Sequence, residues 1–303
     1  MNSCEKVYVK NHGSGAGAWI YEGYKNAWSS LGYETVYFDF LEEINEKKDS
    51  YYLQSVDSDI NTDAAYQIVK NSKKAFIFAQ TNSFPSPWGT HPNFQCHCPD
   101  EYIKLLNKLN NVYLWSFANA KNCDYHDKWK DVHYVPLAFD DVAYQPHEDK
   151  KYEYDICYVG GFADNGFNEK AAIMQDYFSE LSNLGLNLGL SINQNISIQE
   201  EANLLYNSKI AINIHDKYQH VLGLDSNERT FKSLGLNGFL ISDDVRELSN
   251  LFPSVPLAKS PRDMSLLVEK YLDKDLSQDK KQNRDLILKK HTYKNRVQEL
   301  LCL

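Results

Sequence analysis

The sequence lacks the features that mark membrane-spanning and secreted proteins. None of its apolar runs approaches the roughly 20 residues that a helix needs to cross a bilayer. Its N-terminus carries charged residues where a secretory signal peptide has its apolar core. We therefore predict a cytoplasmic protein, and we leave peripheral contact with a membrane open.

Positive charge is scarce as well. The chain of 303 residues has 32 Lys and Arg against 41 Asp and Glu, a net charge of −9. A broad nucleic-acid surface needs clustered cations that displace counterions from phosphates, so the charge balance argues against nucleic acid as a partner. A basic stretch at residues 280–296 is interpreted as the solvated face of a terminal helix, with phosphate or membrane contact as the alternative.

The six cysteines do not form the pattern of a disulfide framework in a chain of this length. One group supplies four soft ligands of the kind that hold structural zinc: Cys96, Cys98, Cys123 and His126. The C-x-C spacing of its first two members is tighter than usual ligand spacing. Unligated thiols are therefore the first interpretation, and zinc binding is the alternative.

What the chain does contain is an alternation of strand-like and helix-like segments. In the N-terminal half, β-rich runs at residues 6–11 and 34–40 flank a segment over 19–31 with helical apolar spacing. A second series of such units opens at residue 154, after a polar stretch at 140–153. Strand–helix series build parallel sheets that bind ligands beyond the carboxyl ends of their strands. We predict an α/β fold of two doubly wound, Rossmann-like domains facing across a cleft.

The stretch SNERTFKSLGLNGFLISD, from Ser226 to Asp243, reads as a charged helix start followed by a glycine and a short apolar strand. It resembles the donor-site signature of GT-B glycosyltransferases related to the spore-maturation protein CgeB, in which an Asn-x-Arg-Thr-Phe helix leads into such a strand. Three other segments agree in order and spacing: residues 135–146, residues 154–160, and His291-Thr-Tyr with Arg296. The resemblance covers residues 130–300.

The resemblance implies a GT-B enzyme that needs no metal or cofactor. Its reaction would move a sugar from a nucleoside diphosphate sugar to a hydroxyl of a glycan, lipid-linked or protein acceptor. The implied organisation is an acceptor domain over residues 1–145, a donor domain over 146–280, and a terminal helix over 281–303 that returns to the N-terminal domain.

Arg229, in the first turn of the predicted helix, is the residue that we expect to meet the donor diphosphate. Its permanently charged guanidinium donates several hydrogen bonds, and the helix start adds free N–H groups and the positive end of the dipole. Gly160 and Gly161 follow a predicted strand and would let backbone amides approach the phosphates or the sugar. An ordinary ion pair for Arg229 and a tight turn for the glycines are the alternatives.

Four further residues are predicted to bind the donor: His215, Asn227, Glu228 and Thr230. His215 ends a predicted strand, and a buried structural histidine is the rival interpretation. Asn227 and Thr230 combine helix capping with ligand contact, whereas for Glu228 an ion pair with Lys232 is slightly preferred. Lys232 stands where many relatives have a Glu thought to hold the ribose, so the identity of the nucleotide is left open.

His12 follows the first predicted strand and opens the glycine-rich segment HGSGAG. Because an imidazole titrates near neutral pH, it suits the deprotonation of an acceptor hydroxyl, and we predict His12 as the catalytic base. Gly13 and Gly15 would let this segment approach the donor. Asp39 and His91 are lower-ranked candidates for the base.

Other chemistries fit the sequence poorly. The glycine-rich segment lacks the lysine of a nucleotide-triphosphate loop, and no correctly spaced G-x-G-x-x-G motif for NAD is present. No D-x-D element is predicted at a strand end, since Asp57-Ser-Asp59 is assigned to a polar stretch. Two rival functions stay open: a phage-type DNA-base glycosyltransferase, and a non-catalytic sugar-nucleotide or glycan-binding protein of the same fold.

Overall fold

A computed structural model describes residues 5–12, 15–79, 98–120, 126–162 and 168–303. The chain divides into two compact units. The first comprises Met1–Pro136 with Tyr293–Leu303, and the second comprises Leu137–Thr292. The division thus falls at Pro136, whereas the sequence analysis places it in the polar stretch that follows.

The first unit contains a parallel sheet of six strands in the order β2-β1-β3-β4-β5-β6. These strands are β1 (Lys6–Lys10), β2 (Glu34–Phe38), β3 (Tyr51–Val56), β4 (Lys74–Phe78), β5 (Val112–Ser116) and β6 (His133–Tyr134). Its described helices are α1 (Gly15–Ser30), α2 (Asp63–Asn71), α3 (Asp100–Leu106) and α11 (Tyr293–Leu301).

The second unit contains a parallel sheet of five strands in the order β11-β10-β9-β7-β8. These strands are β7 (Ile156–Gly160), β8 (Leu188–Ile192), β9 (Ile210–Asn213), β10 (Leu240–Asp243) and β11 (Leu257–Ala258). Its described helices are α4 (Lys170–Ser182), α5 (Ile198–Asn207), α6 (Lys217–Leu222), α7 (Glu228–Leu236), α8 (Arg246–Leu251), α9 (Pro261–Leu272) and α10 (Ser277–Lys290). Within the described ranges, no helix combines the length and apolarity needed to cross a membrane.

The core of each unit is built largely from apolar side chains on its strands. In the second unit, Ile156, Tyr158, Ile210, Ile212 and Ile241 lie fully or almost fully buried on the central strands. Removing an isoleucine of this kind from water contributes about 1.5–3 kcal/mol. Polar side chains such as Asn213 and Asp243 lie at the carboxyl edge of the sheet, where the strands end.

Strand β3 was not predicted from the sequence, because it buries two polar residues. Gln54 and Ser55 are fully buried, with Gln54 Oε1 accepting from Trp28 Nε1 at 2.8 Å and Ser55 Oγ donating to Asp59. Asp57 and Asp59 therefore follow a strand directly. The placement of this D-x-D element in a polar stretch away from any strand end is wrong.

Helix α1 starts at Gly15, earlier than the predicted residue 19, so part of the glycine-rich segment is helical. A Cβ on Gly17 would come within 2.3 Å of His12 Nδ1. The missing side chain thus lets the His12 ring lie against the first turn of α1. There the ring stacks on Tyr21, with centroids 5.9 Å apart.

Candidate active site

The helix that carries Arg229 begins at the carboxyl edge of the second sheet. Its N-cap is Asn227, whose Oδ1 accepts a hydrogen bond from Thr230 N at 3.2 Å. Asn227 Nδ2 also donates to Asn213 Oδ1 at 3.1 Å and so fixes the start of α7 to the end of β9.

The Arg229 guanidinium reaches across the ends of β7 and β9. Its Nε donates to Val159 O at 2.6 Å, and its Nη1 donates to Ile214 O and Asn213 Oδ1, each at 3.2 Å. Its Cζ lies 4.5 Å from the centre of the Tyr158 ring. Within the part of the chain that the structure describes, this charge meets oxygen dipoles and no carboxylate at ion-pair distance. The positive charge of the side chain is therefore available to an anionic ligand.

Gly160 makes room for this arrangement. A Cβ at Gly160 would lie 2.0 Å from Arg229 Nη2 and 2.5 Å from its Cζ. At Gly161 a Cβ would lie 2.4 Å from Asn193 Oδ1, which accepts a hydrogen bond from Phe162 N at 2.9 Å. Gly160 is thus needed where the arginine packs, and Gly161 where the following loop folds back.

Lys170, the first residue of α4, is a second cation at this edge that the sequence analysis missed. Its side chain is buried, and its Nζ donates to Ile214 O, the carbonyl that also receives Arg229. Burial and the charge of Arg229 lower the pKa of Lys170 to about 8, against the opposing effect of Asp216, whose Oδ1 lies 3.5 Å away. A lysine in the first turn of a helix is unfavourable for the helix dipole. This unusual position, at the start of a predicted helix, is the sequence signal that could have marked Lys170 as a candidate.

His215 is fully buried just after β9 and has protein partners at both ring nitrogens. Its backbone N and its Nδ1 each lie 2.6 Å from the Asp243 carboxylate, and its Nε2 lies 3.0 Å from Ser226 Oγ. Burial lowers the pKa of His215, against the opposing effect of the Asp243 carboxylate. Burial also opposes ionisation of Asp243, but His215 and His220 together hold the pKa of that carboxyl well below its usual range. These contacts support a positioning role for His215.

Thr230 and Glu228 face protein groups. Thr230 is fully buried, and its Oγ1 lies 2.9 Å from Asn213 Nδ2 and 2.6 Å from Ser226 Oγ. Glu228 Oε2 lies 4.0 Å from Lys232 Nζ.

Lys232, the residue at which the chain departs from the resemblance, is held by a second carboxylate as well. Its Nζ lies 3.1 Å from Glu201 Oε1, and both side chains are largely buried. Tyr144 donates to Glu201 Oε2 at 2.8 Å. The cation therefore joins α7 to α5 through a buried ion pair.

In the first unit, His12 is exposed at the end of β1. Nearby at the carboxyl edge, Lys10 Nζ lies 2.9 Å from Asp59 Oδ1, and Asn11 donates to Asp39 Oδ1 at 2.8 Å. Of the other residues predicted here, Gly15 is the first residue of α1, while Gly13 and His91 lie outside the described residues.

The zinc hypothesis rests partly on residues that are not described, since Cys96 and Cys123 lie outside the described ranges. Cys98 is buried, and its Sγ donates to Ile60 O at 3.3 Å. Burial lowers the pKa of His126 to about 4. The described residues contain no group of three or more side chains able to hold a metal ion.

Comparison with known proteins supplies the context for this geometry. Residues 161–302 match a family described as glycosyl transferase-like. No curated protein sequence matches the chain.

Solved structures match almost the whole chain at low identity. One is T4 phage BGT in complex with its UDP-glucose substrate, at 12% identity and a TM-score of 0.58, covering 97% of this chain and 96% of that one. Another is AviGT4, a glycosyltransferase involved in avilamycin A biosynthesis. It is 11% identical, with a TM-score of 0.56, and the match covers 98% of this chain and 96% of that one. A third is an alpha-glucosyltransferase in complex with UDP and DNA, at 10% identity and 0.61, covering 99% of both chains.

These likenesses show that the fold is GT-B, built from two Rossmann-like units. The glycosyl transferase-like family match extends over most of the second unit and over α11.

Proposed function

We propose that the chain transfers a sugar from a nucleoside diphosphate sugar to an acceptor hydroxyl, with its donor site at the carboxyl edge of the second sheet. The observation that carries this proposal is the Arg229 guanidinium, which lies across the ends of β7 and β9 and has no carboxylate partner among the described residues. Lys170 adds a second positive charge beside it.

The chemistry of the reaction matches these two cations. As the bond between the anomeric carbon and the β-phosphate oxygen breaks, the leaving diphosphate gains negative charge. Arg229 and Lys170 would stabilise that charge, and the first-turn N–H groups of α7 would assist them. Removing one such preorganised donor typically costs about 10²–10³-fold in turnover.

We assign the proton transfer to His12. The acceptor hydroxyl would attack the anomeric carbon while the imidazole takes its proton, a role that contributes about 10²–10⁴-fold in known cases. The position of His12 after β1, held against Gly17 and Tyr21, supports this assignment. The remaining donor-site proposals are Gly13, Gly15, Gly160, Gly161, His215, Asn227, Glu228 and Thr230, with the last four acting mainly by positioning Arg229 and the helix start.

We propose uridine diphosphate as the nucleotide, because two of the similar structures hold UDP or UDP-glucose. The finer resemblance to the CgeB-like family, carried by residues 226–243, favours a glycan, lipid-linked or protein acceptor, in a cytoplasmic enzyme with peripheral membrane contact as an option. Lys232 in place of the family's Glu indicates that the ribose is held differently here.

A DNA base is the second candidate acceptor, because one of the similar structures contains UDP together with DNA. The net charge of −9 disfavours it. DNA binding that weakens steeply with rising salt would support this candidate, whereas an acceptor other than DNA predicts no such binding.

Thermal-shift measurements with nucleoside diphosphates and their sugars test the proposal. A ligand that binds only the folded state stabilises it by about 2.7 kcal/mol at a hundredfold excess over its Kd. We expect UDP and UDP-sugars to raise the Tm, and slow release of UDP from a UDP-sugar to show catalysis. Binding without any release would favour the non-catalytic alternative, and no shift with any diphosphate would exclude the donor site.

A further inference from the structure

The start of helix α4 lies against the start of helix α6 within the second unit. Lys217 N donates to Asn168 O at 3.0 Å, and Asp216, the N-cap of α6, has its Oδ1 3.5 Å from Lys170 Nζ. Between these two contacts, Glu169 adopts a left-handed backbone with φ 51° and ψ 18°, a conformation that a residue with a Cβ seldom takes. The chain therefore turns sharply just before Lys170, and the turn leads directly to a buried cation.

Burial makes the Lys170 ammonium dependent on its protein neighbours. Its side chain is only 3% exposed, and its Nζ donates to Ile214 O, which also accepts from Arg229 Nη1. A buried ammonium loses its hydration, and a guanidinium on the same carbonyl repels it, so both effects favour the neutral amine. Among the described residues, Asp216 is the one carboxylate at ion-pair distance from Lys170. The positive charge of Lys170 therefore depends on Asp216.

Three further charged or titratable groups act on Lys170 or respond to its charge: Arg229, Asp243 and His215. Burial and Arg229 lower the pKa of Lys170, whereas Asp216 and Asp243 raise it. Asp243 has a closer partner of its own in His215, whose Nδ1 lies 2.6 Å from Asp243 Oδ1. Asp216 therefore differs from Asp243 in contacting Lys170 directly.

From these contacts we propose that Asp216 is a positioning residue of the donor site, which holds the Lys170 ammonium at the Ile214 carbonyl beside Arg229; this rests on the function proposed above. The separation of 3.5 Å is longer than the distance of about 2.7–2.9 Å in a close charge-assisted hydrogen bond. Asp216 thus stabilises the positive charge without forming a tight ion pair that would compete with a diphosphate. It acts through Lys170 and needs no contact with the donor.

Lysine titration followed by nuclear magnetic resonance tests this contact without any ligand. In protein that carries isotopically labelled lysine, the Lys170 signal is identified by its absence from Lys170→Arg. We expect the signal to titrate near pH 8 in wild type, the value to which burial and Arg229 lower the pKa of this lysine. In Asp216→Asn, whose side chain still suits an N-cap, the midpoint should move to lower pH by at least about one pH unit. Glu169→Gln removes a neighbouring carboxylate that instead contacts Lys217, at 3.1 Å, and should leave the midpoint as it is in wild type.

Calorimetric titration with UDP over the same pH range tests the role in the donor site. The pH at which the affinity for UDP falls should be lower in Asp216→Asn than in Glu169→Gln, by the same amount as the Lys170 midpoint. At pH 8 the charged fraction of Lys170 should drop from about one half to about one tenth, so UDP should bind up to about 5-fold more weakly than in the control. Both variants lose one negative charge and share the ionisation of UDP itself, so the difference between their profiles reports Lys170.

An unchanged Lys170 midpoint in folded Asp216→Asn would overturn the inference. A lowered midpoint with a UDP profile identical to that of Glu169→Gln would overturn it as well, because the contact would then serve the fold alone. Asp216→Ser, which also suits an N-cap, gives the same comparison if the Asn variant does not fold. Failure of the wild-type protein to bind UDP at any pH would remove the donor site itself, and with it the role of Asp216 there, whatever the lysine titration shows.

Discussion

The carboxyl edges of the two sheets differ in whether their cations are paired with carboxylates. In the first unit, Lys10 Nζ lies 2.9 Å from Asp59 Oδ1, so this cation of β1 is neutralised by a carboxylate. In the second unit, Arg229 donates to backbone and amide oxygens, and Lys170 has only a longer contact of 3.5 Å with Asp216. The second edge therefore keeps positive charge for an anion, whereas the first is suited to a neutral group such as a hydroxyl.

This difference predicts a division of labour. Substitutions at the second edge should change both the affinity for UDP and turnover, whereas substitutions at the first edge should change turnover and leave the affinity for UDP as it is. A result that crosses this division would break the comparison.

The largest effect is expected at the first edge. Replacing the proposed base, His12→Asn, should lower kcat by about 10²–10⁴-fold, because the acceptor hydroxyl loses its proton acceptor. The Kd for UDP should stay unchanged. Steady-state UDP release and calorimetry measure the two quantities. Asp39→Asn is the matched variant, and a greater loss of kcat there than in His12→Asn would move the base to Asp39.

Next in size is the effect of crowding the arginine. In Gly160→Ala the new Cβ would meet the guanidinium at 2.0 Å, and the flexible end of Arg229 would have to move. Losing its charge-assisted hydrogen bonds to the diphosphate should weaken UDP binding by about 10- to 100-fold.

The Tm should change little in this variant, because only a side-chain end is displaced. Gly189→Ala on β8 is the control, since its Cβ would meet the Tyr154 ring at 2.5 Å and none of the three nearest atoms belongs to the arginine. Equal UDP affinity in the two variants would argue against the proposed position of the diphosphate.

Asp225 in the second unit is a buried carboxyl whose ionisation should change the stability of the protein. Asp225 is buried with a Tyr218 hydroxyl at 3.2 Å, and burial raises its pKa to about 7. In the unfolded chain this carboxyl ionises near pH 3.8, whereas in the folded chain it stays protonated up to about pH 7. Ionisation therefore favours the unfolded chain, and the free energy of unfolding falls as the pH rises from 3.8 towards 7. Asp225→Asn should remove this loss and stabilise the protein at pH 8 relative to pH 5 by about 3 kcal/mol. Urea unfolding at both pH values measures the difference, and identical pH dependence in wild type and variant would contradict it.

The smallest effect is a pH dependence of donor binding. Because the pKa of Lys170 is lowered to about 8, its charge is mostly present at pH 7 and mostly absent at pH 9. The affinity for UDP should fall over this range by up to about 10-fold, the change in the charged fraction. Lys170→Arg keeps its charge throughout and should bind UDP with a flat profile. A wild-type profile that is equally flat would remove Lys170 from the donor site.

The sequence predicted the elements whose patterns are local. The apolar run before Gly160 and the Asn-x-Arg-Thr-Phe motif led to β7, to α7 and to Arg229. Strand β3 escaped prediction because its buried Gln54 and Ser55 find partners elsewhere in the fold and so disguise the apolar pattern.

Long-range contacts explain what was missed at the site. The contact of Asp243 with His215 joins residues 28 positions apart, and Lys170 reaches a carbonyl 44 positions away. Neither spacing belongs to a local motif. The sequence therefore placed Arg229 at the start of a helix, as the structure has it, whereas the contacts of Lys170 and of Asp243 with His215 depend on the sheet that brings them together.

The most direct test of the account is the Kd for UDP of wild type, Arg229→Ala and Arg262→Ala. Arg262 is the second residue of α9, as Arg229 is of α7, and its side chain is exposed. We predict that Arg229→Ala weakens UDP binding at least about 10-fold, the cost of losing charge-assisted hydrogen bonds, and that Arg262→Ala binds as wild type does. An unchanged Kd in Arg229→Ala would contradict the claim that this guanidinium receives the diphosphate.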